Sequence, residues 1–318
     1  MDRKETAMTK LLPRDRFAHA RDYLLTAARP LEAALFRYRF EDGDAEPVYR
    51  ELAQYQNADG GFGRALEPDV RAEASSVLAT TAALQRLRML HAPTQHPLVN
   101  GAIRYLEATY DPARQSWPLV PPAAEASPHA PWWNQEGLAE RFGGFAVNPR
   151  AEVLGYFHEF ADETDVEAVR LRDTLTPIVF EDLVARTEPL SGDAFLCCQR
   201  LIEAPGLPNN VAVDLQRWLL RVAEGAIALD PATWGSYVLL PLQVAPNRAA
   251  PMGIPLAHVL PANLDYVVES QAEDGSWAPT WSWFGAFPDD WPAAERDWRG
   301  VLTLERLEWL HAYDRIAP

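Results

Sequence analysis

One turn occurs twice in this sequence, and it constrains the chain more than any other feature. The first copy is Gln56-Asn57-Ala58-Asp59-Gly60-Gly61-Phe62, followed by Gly63. The second is Gln271-Ala272-Glu273-Asp274-Gly275-Ser276-Trp277. Both read Gln-x-x-Asp-Gly-x-aromatic. Asx and Gly residues supply the left-handed backbone that a tight turn requires, and the closing aromatic can tuck inward. From Ala74 onward, Val77, Leu78, Thr81, Leu84 and Leu87 recur at three- and four-residue steps, which predicts a helix with a buried face. After the second copy and an aromatic interruption, Val301, Leu304, Leu307 and Leu310 do the same. Each turn delivers the chain into a helix.

Helical periodicity extends through most of the remainder. Residues 14–40 read as a long opening helix with Phe17, Leu24, Leu25, Leu31, Leu35 and Phe36 on its inner side, bent or divided at Pro30. An acidic turn at 41–47 precedes a short helix that ends at the first motif. Pro93 and Pro97 mark a corner, and 98–109 gives a helix with Leu98, Ile103 and Leu106 in phase. Residues 116–137 hold five Pro and three Trp and cannot form one helix. That stretch reads either as a lid over one mouth of the fold or as a loop capping a helix pair. Worn copies of the turn stand at 110–117, 142–149, 191–193 and 230–235. The six turn-to-helix junctions recur on the order of every 40 residues, the period of helix-pair repeats.

The pattern Gln-x-x-Asp-Gly-x-aromatic resembles the QW repeat of squalene–hopene and terpene cyclases and of protein prenyltransferase β subunits. The resemblance implies that the Gln and the aromatic tie the end of one helix to the start of the next. It also implies paired helices in two concentric rings around a cavity. The expected fold is therefore all-α, a single (α/α)6 toroid spanning 1–318 with the Pro/Trp-rich stretch as its lid. The resemblance covers the two turns and the helices that follow them, and is looser in between.

Class II cyclases of this kind protonate an alkene or epoxide with the middle Asp of an Asp-x-Asp-Asp motif, which follows a Gly-Gly-aromatic turn and a Pro-Asp-Val segment. Here Pro68-Asp69-Val70 stands in that relation to Gly60-Gly61-Phe62, but Arg71 and Ala72 come next. Arg71 takes the donor's place, and a guanidinium is no acid at any working pH. What remains is the cluster Glu67, Asp69, Arg71 and Glu73. In an apolar cavity, desolvation would raise one carboxyl while Arg71 lowers its neighbour, separating an acid from a base. Glu73 or Asp69 is then the candidate acid. The alternative is an exposed charged turn whose Glu67 and Asp69 favour a helix N-terminus.

A cyclase also needs ring faces that stabilise a carbocation. Trp132, Trp133, Trp281, Trp283, Phe284, Phe287 and Trp291 are the candidates, with ordinary burial as the alternative for each. Asp289 and Asp290, in Phe287-Pro288-Asp289-Asp290-Trp291, resemble half of the Asp-rich motif of class I synthases and lack its third acid. Mg²⁺ is the expected cofactor if the substrate is a diphosphate, and no other metal is expected. The histidines, His91, His96, His129, His158, His258 and His311 among them, lack metal-ligand spacing, and no Asp-x-Cys pair supports a zinc prenyltransferase.

Charge removes other classes. A net charge of −16 argues against nucleic acid as a partner. Peripheral membrane contact through an apolar patch stays open. No run approaches the roughly 18 apolar residues of a spanning helix, and the charged first 16 residues lack the apolar core of a signal peptide, so a cytoplasmic protein is expected. Adjacent Cys197 and Cys198 suggest packing rather than a disulfide. Three functions remain. The first is an isoprenoid-handling enzyme, a non-standard terpene cyclase acting as isomerase or lyase on an apolar isoprenoid-like molecule. The second is a catalytically silent toroid that binds an apolar ligand or a protein. The third is a carbohydrate-active toroid, lyase or hydrolase, with His129, Trp132, Trp133 and Tyr110 in a cleft.

Overall fold

Pro30 divides the opening helix. Arg14–Thr26 (α1) ends before it, and Pro30–Phe40 (α2) begins on it. Proline has no N–H to give and its fixed φ suits a first helical position. The computed structural model describes residues 9–318, and among them every regular element is a helix. Ala45–Ala53 (α3) leads to the first turn, then Val77–Met89 (α4) and Pro97–Ala108 (α5). Next come Leu138–Arg141 (α6), Arg150–Phe160 (α7), Val166–Val184 (α8), Gly192–Ile202 (α9) and Asn209–Val222 (α10). Pro241–Val244 (α11), Leu260–Glu269 (α12) and Trp291–Ala312 (α13) complete the chain. No helix among the described residues is long and apolar enough to cross a membrane.

The helices gather into two compact units made from separated segments. One comprises 44–226 with 282–294. The other comprises the described residues up to 43, with 227–281 and 295–318. In the first, α7 packs on α4, α5, α8 and α9, and nearly every residue of α7 is buried. In the second, α1 packs on α2 and α11 on α12.

Both copies of the turn adopt one hydrogen-bonded design, each within its own unit. Gln56 Nε2 donates to the Gly60 carbonyl (2.9 Å) and to the Leu98 carbonyl of α5 (3.1 Å). Gln271 Nε2 donates to the Gly275 carbonyl (2.8 Å) and to the Arg16 carbonyl of α1 (3.0 Å). Phe62 N donates to Thr80 Oγ1 of α4 (3.0 Å), and Trp277 N to Thr303 Oγ1 of α13 (3.1 Å). Asp59 and Asp274 each accept from the backbone N two residues on, both at 3.0 Å, which closes an Asx turn. Phe62 and Trp277 are buried. The glutamine thus fastens the turn to a second helix and the aromatic end to the helix that follows. At 111–117 the worn copy keeps the shape: Gln115 takes the left-handed position (φ 51°), and Trp117 Nε1 donates to the Leu106 carbonyl (2.6 Å).

Gly275 shows why the turn needs glycine. Its φ is +87°, and a Cβ there would lie 2.3 Å from the His19 carbonyl carbon. Gly275→Ala is expected to cost about 3 kcal/mol in strain and overlap, seen as a lower urea midpoint. Gly285, at φ +86° and with open space for 4 Å around the position a Cβ would take, supplies the control. Gly285→Ala should cost only about 1 kcal/mol of backbone strain. Equal losses would contradict the clamp.

The 116–137 stretch differs from the lid expected of it. Trp117, Leu119, Val120, Ala124, Ala130 and Trp133 are buried. Leu78 N donates to the Leu119 carbonyl (3.0 Å), Arg71 N to the Pro128 carbonyl (3.0 Å) and Ala130 N to the Asp69 carbonyl (2.9 Å). Its backbone is paired into the unit and its aromatics help form the core, so it is a packed strap. Proline suits that role, because the strap makes few regular hydrogen bonds and loses little by lacking N–H groups.

α8 is capped by Asp165, which accepts from Glu167 N (3.2 Å) and Ala168 N (3.3 Å). Glu107, at the end of α5, meets that carboxylate. Burial first, then the charge and hydrogen bond of Asp165 and the charge of Glu167, outweigh Arg104 and raise the Glu107 carboxyl to about 7. A raised carboxyl contributes stability that is complete below about pH 4.5 and is lost as pH climbs through about 7. Glu107→Gln should therefore stabilise the chain at pH 8, by about 1 kcal/mol after solvent screening, and change little at pH 4.5. An equal gain at both values would contradict the raised Glu107 carboxyl.

Candidate functional site

Asp69 comes to rest against Trp283, 214 residues away in sequence. The turn at 63–70 and the segment 282–294 belong to one unit, and the Trp283 indole Nε1–H donates to the Asp69 carboxylate at 2.6 Å. Both side chains are almost completely buried, at 4% and 1% exposure. Around them lie apolar side chains: Val70, Ala72, Leu119, Ala130, Phe145 and Ala294.

Aromatic rings pack around this contact. Trp283 lies edge-on to Phe287 (centroids 6.4 Å, 82°) and tilted against Trp291 (5.7 Å). Phe287 is 5.3 Å from the His129 ring. Trp133 stacks on Phe142 (5.1 Å, 4°), and Trp132 is partly buried against the same cluster. His129 is buried, with Nδ1 2.6 Å from the Ser127 carbonyl and Nε2 2.9 Å from the Asn134 side-chain oxygen. A carbonyl can only accept, so Nδ1 carries a proton.

A buried carboxyl that accepts an indole N–H, with ring faces close by, brings together the parts that an acid in apolar surroundings uses.

The other predicted site residues divide clearly. Glu67 and Arg71 are partly buried on the turn that carries Asp69. Glu73 points away: its side chain is 91% exposed and lies 3.8 Å from Arg64. As an acid desolvated by a cavity it is ruled out, because water surrounds it. Asp289 is exposed, and Asp290 opens α13, its carbonyl accepting from Ala293 N (3.1 Å) and Ala294 N (3.2 Å). Among the described residues no three Asp, Glu, His or Cys side chains are grouped to hold a metal ion, so Asp289 and Asp290 build no protein cage for Mg²⁺, and no step is derived through one. Trp281 belongs to the other unit, edge-on to Tyr237 (5.5 Å) and Trp298 (5.0 Å).

Sequence reasoning missed a second polar centre, built on α4, α7 and α9. Glu152 is 3% exposed and accepts from four donors: Gln85 Nε2 (2.8 Å), Tyr156 Oη (2.7 Å), Arg200 Nη1 (2.9 Å) and Cys197 Sγ (3.4 Å). Burial alone would raise its carboxyl. The Arg200 charge and the hydrogen bonds outweigh that and hold it below the usual carboxylate range. Burial and the same carboxylate push the Cys197 thiol and the Tyr156 phenol well up, so both stay protonated. Arg88 lies over the Tyr156 ring (4.8 Å) and bonds to Glu159 and to the Arg200 carbonyl (3.0 Å). The available signal was a glutamate in phase with the apolar face of α7, one helical turn before a tyrosine. Each Glu152 oxygen accepts from two protein donors, which makes this centre a structural bolt between three helices.

Comparison with protein-family models, with curated proteins and with solved structures finds no match to this chain.

Proposed function

We propose that the chain is an isoprenoid-handling enzyme of the α/α-toroid type, a cytoplasmic, non-standard terpene cyclase in which Asp69 is the proton donor. The observation that carries this reading is the buried Asp69 carboxylate, bonded to the Trp283 indole and set among aromatic rings. In the reaction, the Asp69 proton adds to an alkene carbon or epoxide oxygen of the substrate. Ring closure follows on the cation, and loss of a proton from carbon gives the neutral product. Arg71 occupies the place of the usual donor, so the acid is shifted two residues towards the N-terminus, onto a carboxyl that the fold buries. The test is mass spectrometry of products from the purified protein incubated with C10 to C30 prenyl diphosphates and with squalene. A cyclised isomer of the substrate is expected, a diphosphate from a prenyl diphosphate or a hydrocarbon from squalene, and recovery of every substrate unchanged contradicts the reading.

A second reading, a catalytically silent protein that binds an apolar ligand, is favoured by Arg71 in the donor's place and Glu73 in solvent. A co-purifying apolar ligand without turnover would select it. The carbohydrate-active reading is weakened by His129, both of whose ring nitrogens are engaged by Ser127 and Asn134.

A further inference from the structure

The turn that carries Asp69 has a twin. In 63–70 the backbone is left-handed at Arg64 (φ 54°) and Ala65 (φ 59°). Leu66 N donates to the Gly63 carbonyl (3.0 Å), and Val70 N to the Glu67 carbonyl (3.2 Å). In 283–290 the left-handed residues are Phe284 (φ 50°) and Gly285 (φ 86°). Ala286 N donates to the Trp283 carbonyl (2.9 Å), and Asp290 N to the Phe287 carbonyl (3.0 Å). In this register Pro68-Asp69 falls on Pro288-Asp289, and no other position is identical. The shared backbone was hidden in the sequence because only that dipeptide survives.

The first copy shows that the turn needs no aromatic, since Arg64 and Ala65 make it. The second places Phe284 at the first left-handed position, where a bulky side chain is strained. Burial does not offset that strain, because Phe284 is 79% exposed. Phe287 is left-handed too (φ 45°), without a counterpart in the first copy, and 38% exposed. Both ends of the turn are nevertheless fixed to the site. Trp283 is bonded to Asp69, and the Phe287 ring meets His129 and Trp283. Strained aromatics that face solvent on a rigid turn, beside a buried acid, are costly unless something binds them. Their rings offer apolar faces and no hydrogen-bonding group, which suits a hydrocarbon chain and gives an anionic headgroup nothing to bond.

We propose that Phe284 and Phe287 form the specificity-determining clasp of the Asp69 site and grip the hydrocarbon tail of its isoprenoid-like ligand. The clasp rests on the reading of the Asp69 site given above. The test is a titration of the full chain with farnesol, followed by tryptophan fluorescence, for the wild type, Phe284→Gly and Phe284→Leu. Glycine accepts the left-handed backbone, so Phe284→Gly should melt about 2 °C higher while binding farnesol about tenfold more weakly. Phe284→Leu, which keeps an apolar side chain, should bind more tightly than Phe284→Gly. A Phe284→Gly protein that is more stable and binds farnesol as tightly as the wild type overturns the clasp. A wild type that neither binds farnesol nor turns over any prenyl substrate overturns the clasp and the Asp69 reading together. If Asp69→Asn still forms product while Phe284→Gly binds weakly, the acid assignment falls and the clasp stands.

Discussion

Replacing Glu152 by alanine is expected to destabilise the chain by about 3–5 kcal/mol, the largest stability loss of any single substitution considered. The physical reason is what the change leaves behind. Arg200, whose side chain is 29% exposed, loses the carboxylate 2.9 Å away, part-buried Gln85 loses its acceptor, and Tyr156 and Cys197 lose theirs in the buried interior. Each stranded donor carries its own desolvation cost, greatest for the donors that water does not reach. Three helices share the damage, because the partners come from α4, α7 and α9. Glu152→Gln keeps the shape and one accepting oxygen, so it should lose clearly less. The carboxyl is held below its usual range, hence its contribution is present above about pH 4.5 and is lost as pH falls through the folded value. The deficit of Glu152→Gln should therefore shrink on acidification. Urea midpoints at pH 7 and pH 4 measure both, and a wild-type midpoint for Glu152→Ala at pH 7 would contradict the bolt.

Asp69→Asn is expected to have the largest effect on activity, lowering product formation by about 10²–10⁴-fold. Asparagine keeps an oxygen that accepts from Trp283 Nε1, so the bond at 2.6 Å has a replacement and the fold should survive. What the variant lacks for the reaction is the proton proposed to start it. Asp69→Ala differs, since it strands the buried indole N–H and should cost about 1–3 kcal/mol of stability besides. Comparing the two separates the acid from the prop. Single-turnover product yields, read beside melting temperatures, would show it; equal yields from Asp69→Asn and wild type would remove Asp69 as the acid.

Local chemistry made much of this structure legible. The break at Pro30, the helix after the first turn, and the two Gln-x-x-Asp-Gly-x-aromatic turns all follow from propensities and spacing that act within a few residues. Ser76 Oγ accepts from Ala79 N at 3.0 Å, as a cap should. The site was legible only in part. Asp69 and Glu73 are four residues apart on an irregular turn, where no fixed period says which side chain faces inward. The fold buries one and exposes the other. The sequence left the strap open between a lid and a capping loop because Pro and Trp density marks irregular backbone, not whether that backbone is packed. The Asp69–Trp283 contact and the Glu152 centre join residues far apart in the chain, and such pairs leave no trace in local periodicity. The twin of the Asp69 turn was concealed for a different reason: left-handed backbone was made by Arg64 and Ala65 in one copy and by Phe284 and Gly285 in the other.

The central claim is that a proton from Asp69 begins the chemistry, and the origin of that proton can be followed directly. In protein equilibrated in D₂O the proposed acid carries a deuteron, so a single turnover should place one deuterium on carbon in a product of an alkene substrate. The measurement is mass spectrometry of the cyclised product made in D₂O by wild type and by Asp69→Asn. The account expects one deuterium per product molecule from the wild type and almost no product from the variant. Product that carries no deuterium, or that forms equally well without the Asp69 carboxyl, would contradict it.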